Sequence, residues 1–278
     1  MNLISHKEFE GERPLYASHN LRMEDVTVHE GESALKESSG IEADGCVFEG
    51  RYPFWCCNGA RITDCRFTED SRAPLWYSRD FVLENCDILA PKILREMDDV
   101  SISGCRFPKA VETLWMCRNV GMEDCSFESA DYLFFRSSGL RIKGLNLKGK
   151  YTFQYCRDVE IRDSVLDTKD AFWESENVTV YDSVVKGEYL AWYSRNLRLV
   201  RCLVSGTQPL CYAKGLVLED CSFAPDADLA FEYSEVEATV NSRITSVKNP
   251  LTGHIKAHGY GEIILDENIK SPGNCIIE

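Results

Sequence analysis

ARITDCRF at 60–67, FVLENCDI at 81–88, VSISGCRF at 100–107 and VGMEDCSF at 120–127 are one pattern written four times, at intervals of 19 to 21 residues. The pattern returns as VEIRDSVL at 159–166, LRLVRCLV at 197–204 and LVLEDCSF at 216–223. Each copy reads apolar, variable, apolar, polar, turn former, small, variable, apolar. Alternation with a period of two marks a strand with one buried face, and Asp, Asn or Gly before the small residue marks a bend between two strands. A period of about 20 residues sustained over most of a chain specifies a solenoid, in which each repeat buries its apolar side against its neighbours.

Two further columns define the coil. Asn20, Gly40, Gly59, Asp80, Asp99, Asn119, Gly139, Asp158, Asn177, Asn196 and Gly215 precede the copies, and all tolerate a left-handed backbone. Five residues earlier runs an apolar column: Leu15, Leu35, Phe54, Leu75, Leu94, Leu114, Phe134, Phe153, Phe172, Ala191 and Leu210. Each coil is therefore expected to hold three short strands, two tight corners and one looser loop, stacked in parallel register. Other repeats fit less well. A hexapeptide helix needs corners at equal intervals, a leucine-rich repeat needs a different return arm from PLWYSRD or AFWESEN, and a pentapeptide prism needs a small residue at every fifth position. The expectation is one all-β domain over 1–278, with an N-terminal cap at 1–13, regular coils over 14–227, and irregular final coils with a C-terminal cap over 228–278.

GERPLY at 11–16, LAPKILRE at 89–96, KYTFQYC at 150–156, TKDAFWESENVTVYDS at 168–183, GEYLAWYS at 187–194 and GTQPLCYA at 206–213 carry a resemblance across essentially the whole chain. The sequence resembles the bacterial family known as domain of unknown function 3737. The repeat period gives about 12 coils, and the resemblance implies that they form a single-stranded right-handed parallel β-helix, similar to pectate-lyase-like folds, with no established activity. It carries over no catalytic residues.

Composition narrows the partners. Lys and Arg number 31 against 45 Asp and Glu, a formal charge of −14, which disfavours a nucleic-acid ligand. No apolar run suits a membrane span and the start, MNLISHKEFE, does not read as a secretion signal, so a soluble cytoplasmic protein without a membrane partner is expected. No cofactor motif stands out, and nothing in the composition specifies an oligomeric state.

Thirteen cysteines in such a chain point to reduced thiols. Cys46, Cys65, Cys86, Cys105, Cys125, Cys202 and Cys221 share one column with Leu145, Ser164 and Ser183, and a small inward ladder suits all three residue types. A second column, Ser18, Ser38, Cys57, Ser78, Cys117, Ser137, Cys156, Ser175 and Ser194, reads the same way. Neither holds the close Cys pairs of a zinc knuckle, and His6, His19, His29, His254 and His258 add no ligand set, so no metal is expected.

All five tryptophans, Trp55, Trp76, Trp115, Trp173 and Trp192, fall in the column after the apolar one, joined by Tyr16, Phe135 and Phe231 and interrupted by Lys36, Arg95 and Gln154. The next column mixes Glu37, Tyr77, Glu96, Arg136, Tyr155, Glu174, Tyr193, Tyr212 and Glu232. Charged members imply contact with water. The expected ligand site is an aromatic and acidic outer face made of Trp76, Arg95, Glu96, Trp115, Arg136, Trp173, Glu174, Trp192 and Tyr193, with a carbohydrate as its ligand. The alternative is an aromatic ladder that only stabilises a structural or protein-interaction scaffold. Catalysis, if present, would be of polysaccharide lyase or glycoside hydrolase type. Lys92, Arg95, Glu96, Glu112, Asp131 and Arg136 on neighbouring coils give a weak lyase-like grouping, which ladder pairs such as Glu32 with Arg51 and Lys169 with Glu188 explain equally. No catalytic residue is assigned.

Overall fold

The computed structural model describes residues 1–267 and 274–278, and the described residues form strands and turns with no helix. The chain gathers into two compact units, Met1–Asn146 and Leu147–Glu278, each a parallel β-solenoid.

In the first unit the longest side of each coil is a strand of up to six residues, among them Ser39–Asp44, Asn58–Thr63, Arg79–Glu84, Asp98–Ser103 and Arg118–Glu123. Register keeps like residues together: Ile41 faces Ala60, Ala60 faces Phe81, Phe81 faces Val100, and Val100 faces Val120. A left-handed corner follows each of these strands and leads into a strand of two residues, such as Arg66–Phe67 or Arg106–Phe107. Their inward rings stack, Phe48 on Phe67 at 4.9 Å and Phe107 on Phe127 at 4.2 Å. All four rings are buried, and burying each contributes roughly 2–3 kcal/mol.

Every member of the expected left-handed column has positive φ, from 52° at Asn20 to 74° at Gly59. The corner amides also bond along the column, Asn119 Nδ2 donating to Asp99 Oδ1 at 3.0 Å.

The third side, expected as a short strand, keeps parallel pairing in single bridges, Trp55 to Trp76, Trp76 to Arg95 and Arg95 to Trp115, but its backbone is not extended. Alternate residues are left-handed: Lys92, Leu94 and Glu96 have φ of 58°, 60° and 51°. Burial along it is not period two either. Ile93 and Leu94 are buried, Arg95 is half-buried, Glu96 is exposed and Met97 is buried.

The ladders also begin earlier than expected. Asn2–Ser5 pairs with His19–Glu24, and Glu8–Glu12 pairs with Thr27–Glu32, so residues 2–12 form a coil where a cap at 1–13 was expected. Their corner is His6, at φ 48°, where most later copies carry Asp, Asn or Gly.

In the second unit Arg157–Arg162, Glu176–Tyr181, Arg195–Val200 and Leu216–Phe223 repeat the long side. Two longer strands then run through the corner: Glu235–Lys248 pairs with Thr252–Ile264 from Glu235–Thr252 to Lys248–Ile264, with a register shift between Val240 and Arg243. A bulge there replaces the tight turn, which is why the column pattern fades after 228. Residues 268–273 of the expected C-terminal cap lie outside the described residues.

Candidate functional site

The two small-residue columns occupy the corners, where the chain turns and leaves backbone groups to satisfy. Ser137 Oγ accepts from the Cys117 amide at 3.0 Å and donates to Leu114 O at 2.7 Å; Ser234 does the same for Ala213 and Leu210. Cys57 Sγ donates to Leu35 O at 3.0 Å, a weaker version of the same bond. Cys, Ser and Leu therefore interchange on an interior wall. Burial pushes the thiols of Cys117 and Cys125 up to about 12, so the thiolate is disfavoured at these two positions.

The five tryptophans of the column are half-buried, and their ring faces are turned along the stack of coils toward neighbouring side chains. In the first unit Trp55 stacks on Trp76 at 5.3 Å, the Arg95 guanidinium lies 4.3 Å from the Trp76 ring and 4.6 Å from the Trp115 ring, and Trp115 meets Phe135 at 5.1 Å. Arg95 is further held by Glu112 at 3.5 Å, which also takes Lys92 at 3.1 Å. The indole N–H groups of Trp76 and Trp115 donate to Lys92 O and Tyr132 O, both at 2.6 Å. In the second unit Trp173 stacks on Trp192 at 5.4 Å and Trp192 on Tyr212 at 5.7 Å. A ring whose faces are covered by its neighbours offers a ligand its edge, not a platform.

The neighbouring column points elsewhere. Tyr77, Glu96 and Arg136 line a shallow groove of about 730 Å³ together with Arg79, Asp98 and Arg118 from the start of the long strands. Asp98 receives two bonds of 2.7 Å from Arg118, which hold its carboxyl below the usual range. The second unit repeats the groove with about 610 Å³ between Glu174, Tyr193, Glu176, Arg157 and Arg195.

The nine expected site residues thus divide by column. Glu96 and Arg136 reach the first groove and Glu174 and Tyr193 the second, while Trp76, Arg95, Trp115, Trp173 and Trp192 belong to the stacks. The lyase-like grouping separates in the same way: Lys92, Arg95 and Glu112 pair on the stack side, and Glu96 and Arg136 face the groove. Sequence reasoning passed over Arg79, Asp98 and Arg118. Their signal is an Arg, Asp, Arg run in the outward column two residues beyond Tyr77, Glu96 and Met116. A second correction concerns register. Phe231 and Tyr233 have the positive φ of Leu210 and Tyr212, so buried Phe231 stands in the apolar column and Glu232 in the tryptophan column, one place from where spacing put them. The step from Leu210 to Phe231 is 21 residues, where each of the four coils before it takes 19.

Ladder charges are extensively paired. Glu32 with Arg51 and Lys169 with Glu188, the latter at 2.9 Å, form as expected, and Arg61 with Glu84 and Arg201 with Asp182, both at 2.6 Å, add to them.

These features define a parallel β-solenoid with an inward thiol and hydroxyl wall, a stacked aromatic edge and a polar groove on each unit. The chain belongs to the family described as protein of unknown function DUF3737, whose model it matches over residues 2–278. No curated protein matches it. Among solved structures it is similar to PfbA, a surface adhesin of Streptococcus pneumoniae, at 9% identity over 98% of this chain and 89% of that chain, with a TM-score of 0.47. It is also similar to the periplasmic alginate epimerase AlgG, at 11% identity over 99% and 75% of the two chains and a TM-score of 0.25. The A-module of the Azotobacter vinelandii mannuronan C-5 epimerase AlgE6 gives 11%, 95%, 74% and 0.26 in the same order. Likenesses at this level carry no residue roles across.

Proposed function

We propose that the protein is a binding solenoid without catalysis, and that an extended hydroxyl-rich ligand, a glycan strand, lies across the coils in the polar groove. The observation that carries this reading is the recurrence of the groove: each unit presents a Tyr hydroxyl, a Glu carboxylate and guanidinium groups from the same columns, Tyr77, Glu96 and Arg79 in one, Tyr193, Glu174 and Arg195 in the other. Successive coils repeat these groups at about 4.8 Å, a spacing along which a polymer can be held by hydroxyl, carboxylate and guanidinium contacts. Binding is favoured over hydrolysis because Asp98 is tied to Arg118 by two bonds that favour its ionised form, which unsuits it as the proton donor to a leaving group. A second reading, a scaffold, is favoured by the covered ring faces and the coil-to-coil ion pairs. The thirteen free thiols support the reducing, cytoplasmic setting that we propose with either reading.

A glycan screen followed by titration of Arg136→Ala and Glu96→Ala separates the two. Binding that both variants weaken, with unchanged melting temperature, establishes the groove. Absence of binding to neutral and acidic polysaccharides alike leaves the scaffold.

A further inference from the structure

On the opposite flank of the tryptophan stack, where the variable loops of three coils meet, a separate pocket of about 280 Å³ opens over the edges of Trp55 and Trp76. Tyr52 stands edge-on to Trp55, with ring centres 5.0 Å apart and planes at 86°, and closes one side. Arg51, Arg72 and Lys92 stand around the rings. In a chain where acids outnumber bases 45 to 31, this lining has three cations and no carboxylate. The local acids Glu30, Glu32, Glu49 and Asp70 line a neighbouring hollow that shares Arg51 and Arg72. Arg51 is paired with Glu32 and Lys92 with Glu112, whereas no ion pair engages Arg72 among the described residues.

We propose that this pocket binds a small organic anion that combines a flat ring with one carboxylate or phosphate group. The aromatic edges carry the positive rim of the ring quadrupole, so they favour an anion and meet another ring edge-to-face. A guanidinium donates to carboxylate and phosphate oxygens in a fork geometry, and Arg72, which no ion pair engages among the described residues, is the group placed to do so. The pocket is rigid where it matters: the Trp76 indole is fixed by its bond to Lys92 O at 2.6 Å, and the Tyr52 amide donates to Arg72 O at 3.1 Å, joining two of the coils. The volume suits a ligand of one or two rings, at the small end of organic binding sites. The pocket shares no lining residue with the polar groove, so it stands independently of the glycan reading.

Calorimetric titration of the full chain with naphthoate and with adenosine monophosphate tests both anion sources. Naphthamide, adenosine and inorganic phosphate serve as counterparts that lack the charge or the ring. Saturable binding of either ringed anion, with its neutral counterpart and inorganic phosphate each at least about tenfold weaker, is expected, and the better of the two identifies the source. Arg72→Ala should weaken that binding by about tenfold and leave the melting temperature unchanged, because no ion pair is lost. Lys92→Met, which keeps the apolar stem, provides a second variant with the same expected direction. The proposal is overturned if neither ringed anion binds, if the neutral counterpart or bare phosphate binds as well, or if Arg72→Ala binds like the parent chain.

Discussion

The tryptophan column is filled differently in the two units. In residues 1–146 a guanidinium is inserted between two indoles, and the Trp76 and Trp115 indole N–H groups are bonded to carbonyls. In residues 147–278 Trp173 stacks on Trp192, and Trp192 on Tyr212 of the neighbouring column, without a cation, and the N–H groups of Trp173 and Trp192 are buried without a partner among the described residues. Gln154 and Glu232 occupy the same column and are both buried. Glu232 is held by Gln208 and by Lys248 at 2.8 Å. Most of these side chains end in a flat group. The column therefore selects for planar groups that can pack between planar neighbours, and charge in it does not signal free access to water.

Trp192→Ala should break the second stack with the largest effect, because both faces of the ring lose a partner. A loss of about 3 kcal/mol in denaturant unfolding is expected, against about 1–2 kcal/mol for Arg95→Ala. Equal losses would mean that area alone, not stacking on both faces, sets the cost.

Replacement of Arg95 sharpens the same contrast. Arg95→Phe keeps a flat group between Trp76 and Trp115 and should stay within about 0.5 kcal/mol of the parent chain, while Arg95→Lys keeps the charge, loses the plane and should cost roughly 1 kcal/mol. If lysine is tolerated and phenylalanine is not, the ion pair with Glu112 holds the stack and planarity is irrelevant.

Much of this was legible in the residues, and the parts that were not share a cause. The corner at Gly59, Asp80 and Asp99 is readable because few residue types accept positive φ. The interior wall is readable because Cys86, Ser164 and Leu145 have little in common besides fitting a small dry site. The third side is not readable in this way: Leu94, Phe134 and Tyr155 adopt φ of 60°, 63° and 57° under coil-to-coil constraints that no local propensity announces. Because that zigzag sets where each side chain points, Glu96 and Trp115 read as one face and prove to be two. His6 and the longer step to Phe231 were lost for a related reason, since both depend on register with neighbouring coils.

The interior wall offers a smaller test of likeness between the units. Ser183 Oγ accepts from the Ser164 amide at 3.0 Å and donates to Tyr181 O at 2.6 Å, and Cys105 Sγ accepts from the Cys86 amide at 3.3 Å. Cys86→Ser should cost about 1 kcal/mol and Ser183→Cys about half of that, each measured by unfolding. In the intact protein Cys65, Cys86 and Cys105 should label slowly with a thiol reagent, and rapid labelling without unfolding would refute an interior wall.

The smallest effect concerns the first coil, whose strand Glu8–Glu12 carries the exposed Glu8, Glu10 and Glu12. His29 lies between Glu8 at 3.3 Å and Glu49 at 2.9 Å, so one imidazolium spans three successive coils. The hydrogen bonds to Glu49 and then Glu8 raise its pKa above the ordinary value. A raised folded-state pKa means that the clamp is fully present below the unfolded value of about 6.5 and is lost as pH climbs through the folded value. The Thr27 amide, bonded to Lys7 O at 3.0 Å, reports on the first coil, and the Arg66 amide, bonded to Cys46 O at 2.9 Å, reports on coils beyond the clamp. Hydrogen exchange corrected for intrinsic rates should show Thr27 losing protection as pH rises above about 6.5 while Arg66 keeps its own. His29→Gln should remove that pH dependence and leave Thr27 at the weaker, high-pH level throughout. If Thr27 protection is flat with pH in the parent chain, the imidazolium does not hold the first coil, and parallel pairing of Glu8–Glu12 with Thr27–Glu32 suffices to keep it in place.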